Sequence, residues 1–171
     1  MIDMKKIFFV LTVFWLMCRG SVQAQCREYI EAIAESELEP YVLDGNFESP
    51  IVSEGDAVEF YRTFMSGLNY KIDVCGMDMF FKEITISEVE KKDGGKRVVR
   101  NVLFKNFGKN TEDQIVTTSD GTALPLNGLN FYEFTPDHTM ELLIKVKIVP
   151  FDGGGGLKLE GCLGILVGFS N

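Results

Sequence analysis

Two periodicities divide the chain. Between residues 26 and 38, Tyr29, Ile30, Ile33, Ala34 and Leu38 recur every three or four positions, while Glu28, Glu31, Glu35 and Glu37 take the other faces. That spacing is the apolar stripe of an amphipathic helix. Pro40 ends it, because its ring excludes the preceding residue from helical geometry. Asp44-Gly45-Asn46 follows as a turn signal. From Asp56 onward the period becomes two. In the run 140–149, Met140, Leu142, Ile144, Val146 and Ile148 point one way and Glu141, Lys145 and Lys147 the other, with Leu143 as the exception. Tyr70, Ile72 and Val74 share one face in the same manner, as alternate residues on a strand must. Similar runs lie at 57–64, 80–89, 97–105, 115–118, 129–134 and 162–169, separated by turns such as Ser66-Gly67, Asp93-Gly94-Gly95, Asp120-Gly121 and Asn127-Gly128. The pattern predicts a mostly β protein, an antiparallel β-sandwich or jelly roll of about eight strands with one N-terminal α-helix. No strand–helix–strand alternation supports a doubly wound fold. No internal repeat or linker splits residues 25–171, which read as one domain.

The first residues read differently. Lys5 and Lys6 precede twelve uncharged, almost wholly apolar positions, 7–18, and small or compact residues follow at 21–24. This is the layout of a secretory signal peptide cleaved after Ala24. Twelve residues reach only about 18 Å as a helix, against a hydrocarbon core of roughly 30 Å, so a membrane anchor does not fit. The expected destination is periplasmic or extracellular. No later run approaches a transmembrane segment.

Composition matters mainly after that cut. The chain has 171 residues, 46% hydrophobic and 25% charged, which is ordinary for a globular protein and unlike a disordered or collagenous one. Removing residues 1–24 leaves 147 and takes out Lys5, Lys6, Arg19 and Asp3, moving the net charge from −8 to −10. Acidity of this size argues against nucleic acid, whose phosphates need clustered Lys and Arg. The only Trp, Trp15, leaves with the leader, so Phe and Tyr must fill the core.

Cys26, Cys75 and Cys162 remain, an odd number for an exported chain, so one disulfide and one free thiol are expected. Cys75 and Cys162 both fall opposite the apolar faces of their strands, towards a side that the helix could cover. A Cys75–Cys162 bridge across one sheet is favoured, with Cys26 paired to either one as the alternative. Zinc does not suit three dispersed cysteines with a single histidine.

The candidate chemistry is sparse. A nucleophilic triad would have to use His138, the only histidine, in Pro136-Asp137-His138, and no G-x-S-x-G elbow supplies a serine. A solvated turn histidine is the simpler reading. Gly153 to Gly156 lacks the following helix that phosphate loops need, and reads as a hairpin connection. Asp44 with Asn46, Asp113 or Asp120 could serve a structural calcium ion, but these residue types also favour turns for backbone reasons. No cofactor and no catalytic residue is expected. Adjacent aromatics such as Phe80-Phe81 and Phe131-Tyr132 put one ring on each face of a strand. The second-face rings, Tyr61, Phe80 and Phe131, are where a binding surface is expected.

Several segments together carry a resemblance. They are the helix opening with Cys26, the run Tyr41-Val42-Leu43-Asp44-Gly45-Asn46, and Thr63-Phe64-Met65-Ser66-Gly67-Leu68-Asn69-Tyr70-Lys71-Ile72-Asp73-Val74-Cys75-Gly76. Val102-Leu103-Phe104-Lys105-Asn106 and the ending Gly161-Cys162-Leu163-Gly164-Ile165-Leu166-Val167-Gly168-Phe169 complete them. Over most of the chain after the leader, this pattern resembles a family of small exported bacterial β-sandwich proteins of uncharacterised function. The layout is more distantly similar to jelly-roll accessory domains of secreted enzymes. The resemblance implies fold and export but no activity. The expectation is a non-enzymatic binding or interaction module for a protein or envelope partner. A carbohydrate-binding module engaging a glycan is the alternative, and a hydrolase ranks third.

Overall fold

The computed structural model describes residues 21–78, 80–108, 111, 114–118, 121–150 and 159–171. Most of the expected leader therefore lies outside the described residues. One helix, α1 (Ser21–Leu38), precedes twelve strands among the described residues: β1 (Val42–Leu43), β2 (Ile51–Ser53), β3 (Ala57–Phe64), β4 (Asn69–Cys75), β5 (Lys82–Lys91), β6 (Arg97–Lys105), β7 (Ile115–Thr117), β8 (Ala123–Pro125), β9 (Phe131–Phe134), β10 (Met140–Ile148), β11 (Glu160–Cys162) and β12 (Gly164–Ser170). No described helix is long and apolar enough to cross a membrane.

Every strand pair is antiparallel. Two four-stranded sheets, in the orders β1-β12-β4-β9 and β3-β10-β5-β6, form the sandwich; β2 with β11 and β7 with β8 add two short ribbons. The first sheet is called sheet I below and the second sheet II. The period-two positions meet between them: Ile72, Val74, Ile165 and Val167 from sheet I pack on Ile84, Ile86, Leu142, Ile144, Val146 and Ile148 from sheet II. Each such side chain, fully buried, contributes about 1.5–3 kcal/mol. The aromatic residues close one flank of this core as a chain of ring contacts. It runs from Phe64 to Tyr70 at 5.0 Å, on to Phe134 and Tyr132, and ends at Phe104, 5.1 Å from Tyr132.

The expected eight strands are all present, and four more of two or three residues join them. These four are too short for a period to show, and β8 ends on a proline. The helix begins at Ser21, earlier than residue 26, and runs through the expected cleavage point. Its buried line is Cys26, Ile30, Ala34 and Leu38, one residue every four. Tyr29, expected on the apolar stripe, is instead 49% exposed, because the stripe that meets the sheet is narrow, with only Ile33 half-buried beside the main line.

That narrowness follows from what α1 packs against. The outward positions of β12 are Gly164, Leu166 and Gly168. A Cβ on Gly164 would stand 2.7 Å from Ile30 Cγ2, and one on Gly168 would stand 3.1 Å from Leu38 Cδ2. Two missing side chains thus let the helix lie directly on sheet I, with Leu166 between them. At its C-terminus, the Lys71 ammonium donates to the Glu37 carbonyl at 2.6 Å, a cation placed where the helix dipole favours one. Among the described residues the layers run helix, sheet I, sheet II, with no helix on the outer face of sheet II.

Asn106 fastens one end of the sandwich. It is completely buried. Its Oδ1 accepts from Ile84 N at 2.7 Å, while Nδ2 donates to Lys82 O at 2.8 Å and to Leu129 O at 3.0 Å. These bonds tie the start of β5 to the approach to β9. Asn106→Ala orphans two buried backbone groups and one part-buried one, and a loss of about 2–3 kcal/mol is expected in chemical denaturation. A change below half of that would mean that the groups find other partners.

Candidate functional site

The outer face of sheet II is read from strand register, since directly paired residues share a face. One row across all four strands is Tyr61, Leu143, Ser87 and Val102; the next is Thr63, Glu141, Val89 and Val99. Tyr61, Leu143, Val102 and Val99 form an apolar band around Ser87 and Val89, which are themselves buried, with Leu143 half-buried. Tyr61 is 37% exposed, Val99 49% and Val102 52%. Leu143, the exception in the alternation of β10, is the residue that continues this band across the middle of the sheet.

Charged pairs frame the band. On one side Arg97 grips Glu141 with two hydrogen bonds, at 3.0 and 3.1 Å, and Lys91 approaches the same carboxylate at 3.6 Å. The Arg97 guanidinium also lies over the Tyr61 ring, 4.5 Å from its centroid, a cation–π placement that holds the ring against the sheet. The contact to Arg97 keeps the Glu141 carboxyl below its ordinary range. On the other side Lys145 pairs with Glu59 at 2.8 Å and Lys147 with Glu83 at 3.3 Å. Exposed pairs like these contribute little to stability, about 0–1 kcal/mol each. They do fix where charge is displayed. An apolar centre with an aromatic and an arginine, inside a polar rim, is the anatomy of protein–protein contact surfaces.

The expected aromatics do not come together. Tyr61 lies in the band. Phe131 is on the opposite side of the molecule, on the outer face of sheet I, with the Lys71 ammonium 4.8 Å from its ring centroid. Phe80 is half-buried in the β4–β5 connection and packs on the main core. Only Tyr61 is therefore part of the surface, and Val99 and Val102 join it without having been singled out.

His138 stands exposed in the β9–β10 loop, between the Asp137 carboxylate and Glu88 Oε1. The hydrogen bond to Asp137, and then that to Glu88, raise its pKa. Glu88 also takes Arg100 at 3.3 Å, so the histidine belongs to a surface ion cluster. Asp44 is held by Arg62, which also donates to the Asn46 carbonyl. These oxygens serve a cross-strand tether between β3 and the segment after β1. Asp113, Asp120 and Gly153 to Gly156 lie outside the described residues. Among the described residues, no group of three or more His, Cys, Asp or Glu side chains gathers as a metal would need.

The bridge joins Cys26 to Cys162, across 136 residues of sequence, and Cys75 is free and buried. The favoured Cys75–Cys162 pairing is thus replaced by its alternative. The reason is a strand break at Leu163. Cys162 ends β11, which pairs with β2, whereas Cys75 pairs with Gly164 on β12. Both cysteines do face the helix side, as alternation requires, but only Cys162 passes under the start of α1.

Two clefts accompany these features. One of about 540 Å³ opens between the β6 and β9 edges and is lined by Phe104, Phe107, Val116, Leu126 and Tyr132. The other, also about 540 Å³, is mixed, with Asn69, Thr117, Glu133, Thr135 and Ser170 on its walls beside Pro40, Tyr41 and Phe134.

No protein-family model and no curated protein sequence matches the chain. Among solved structures it is similar to PliG of Aeromonas hydrophila, a periplasmic lysozyme inhibitor of g-type lysozyme. The TM-score is 0.41 and the identity 8%, over 78% of this chain and 90% of that one. This is a similarity of β-rich layout, and no residue role or partner is transferred from it.

Proposed function

We propose that the protein is an exported, non-enzymatic module that binds a protein partner on the outer face of sheet II. The observation that carries this reading is the uncovered apolar band of Tyr61, Leu143, Val99 and Val102. The outer face of sheet I is covered by α1 over β12 and β4; the band on sheet II leaves Tyr61, Val99 and Val102 to solvent. Contiguous exposed apolar surface rimmed by polar residues marks an interaction site. The Cys26–Cys162 bridge supports export, because disulfides persist in oxidising compartments. A carbohydrate ligand is the second reading, favoured by the hydroxyl-rich cleft around Asn69, Glu133 and Thr135.

The two readings separate in one experiment, a pull-down from an envelope fraction run beside a glycan array. Tyr61→Ser with Leu143→Ser should weaken capture of the protein partner by about 30-fold or more, the scale of a lost aromatic anchor. The variant's melting curve should stay close to the parent's, because both positions lie on a solvent-facing surface. A glycan retained by the parent and released by Glu133→Gln would replace the protein reading with the sugar one.

A further inference from the structure

We infer that the partner surface docked on sheet II is acidic, held by cations of the β5–β6 hairpin around the apolar band. The inference rests on the protein-binding reading of that face and adds the partner's chemistry.

Charge is distributed unevenly over this molecule. Asp and Glu outnumber Lys and Arg by 25 to 17 in the chain, yet residues 91–105 hold Lys91, Lys92, Lys96, Arg97, Arg100 and Lys105 against the single acid Asp93. Strand β6 itself carries three cations and no acid. The acids of the face are already engaged, since Glu59, Glu83 and Glu141 each hold a cation of the same face. Glu88 is engaged by Arg100 and His138. Lys92, Lys96 and Lys105 form no salt bridge among the described residues; Lys105 only lies over the Phe107 ring, at 4.2 Å. Glu90 and Asp93 of the same hairpin offset two of these lysines, but Lys91 shares Glu141 with Arg97, so the face still displays surplus positive charge beside Val99 and Val102, on a protein whose remaining surface is negative. Complementary charge of this kind orients a partner and excludes one of the wrong sign.

Docking goes through side chains and not through addition of a strand to the β6 edge. Pairing between β5 and β6 shifts twice. Phe104 and Val102 face Ile86 and Ser87, and Asn101 and Val99 face Glu88 and Val89, which leaves Leu103 and Arg100 as extra residues. Such bulges, together with edge cations, disrupt the regular ladder an added strand needs.

Peptides of about ten residues are long enough to cross the face at roughly 3.3 Å per residue. Three are compared by fluorescence anisotropy at low and high salt: one alternating Glu with Leu, one alternating Lys with Leu, and one alternating Glu with Ser. The Glu/Leu peptide should bind about tenfold more tightly than the Lys/Leu peptide despite the protein's net charge, and should weaken in salt. Lys92→Glu, Lys96→Glu and Lys105→Glu together should abolish that preference, whereas Glu28→Lys with Glu31→Lys on α1 should leave it intact. Equal or tighter binding of the Lys/Leu peptide, or a triple variant that binds like the parent, overturns the inference. Binding that needs Tyr61 and Leu143 but shows no preference for Glu removes the charge assignment and leaves the protein-binding reading. If the Glu/Leu peptide binds undiminished to Tyr61→Ser with Leu143→Ser, the band reading itself falls.

Discussion

Asp73→Asn should flatten the fall in stability that the native protein shows between about pH 4 and pH 8, a fall of roughly 3–4 kcal/mol. Asp73 sits on the outward face of β4, cross-strand from Leu166 and Phe131, and is only 4% exposed. Burial pushes its carboxyl up to about 7, and Glu37 at the end of α1 adds to that; Lys71 and Lys82 pull the other way without cancelling it. In the unfolded chain the same group titrates near 3.8. Between the two values the native state holds a proton that the unfolded state has lost, so stability declines as pH rises. Below about 3.8 both states are protonated and the penalty vanishes; above about 7 both are ionised and the whole penalty stands.

The asparagine has no such transition. Subtracting the variant's pH–stability curve from the parent's isolates this one group from the carboxylates that behave oppositely, such as Asp44 and Glu141, whose pKa values their cation partners lower. Parallel curves would show that Asp73 is solvated in the native state. Hydrogen exchange should place the effect locally, with amides near Leu38 and along β4 opening more readily at high pH, because the ionised carboxylate is trapped where α1 meets sheet I.

Asp73 also shows where sequence stops being informative. Alternation on β4 places it opposite Tyr70, Ile72 and Val74, on the Cys75 side that the helix could cover, but it does not say whether the helix reaches Asp73. Its burial comes from a helix some forty positions earlier that lies on β12, and no local pattern encodes that contact. The core strands were legible for the opposite reason: Leu142, Ile144, Val146 and Ile148 alternate without interruption, and one face of β10 can only be inside. The candidate surface was half legible. Tyr61 announces itself as a second-face aromatic and Leu143 as a break in alternation, each within a regular strand. Val99 and Val102 do not, because the extra residues Arg100 and Leu103 shift the phase of β6 and hide which side each valine takes. The cation–π contact between Arg97 and Tyr61 spans from β6 to β3, a proximity fixed by sheet order and invisible along the chain.

Replacing Cys26 and Cys162 together by Ser should cost about 3–5 kcal/mol, the largest stability effect of any change outside the main core. The bridge closes 136 residues, and in the chain-entropy account a loop of that length is worth about 5 kcal/mol, less any native strain. The mechanical consequence is specific. α1 meets sheet I through the narrow line of Ile30, Ala34 and Leu38 with Ile33 beside it, and the bridge near its start is the one covalent tie that holds this contact. Without the bridge the first half of α1 should lose protection in hydrogen exchange before the sandwich does. Cys75 cannot take over. Its thiol is buried beside Gly164 and Ile30, and desolvation, reinforced by Asp73, pushes its pKa up to about 12. At neutral pH almost none of it is thiolate, the form that attacks a disulfide. The expected readout is therefore asymmetric. In the chain processed after Ala24, which no longer carries Cys18, thiol labelling of the native protein should find nothing, and labelling in denaturant should find one site. Cys75→Ala should leave the bridge intact by mass, whereas Cys26→Ser alone should leave two free thiols and not a Cys75–Cys162 bridge. Formation of that alternative bridge would mean that β11 and β12 can slide past the break at Leu163, and that the register holding Cys162 under α1 is imposed by the disulfide and not by the sheet.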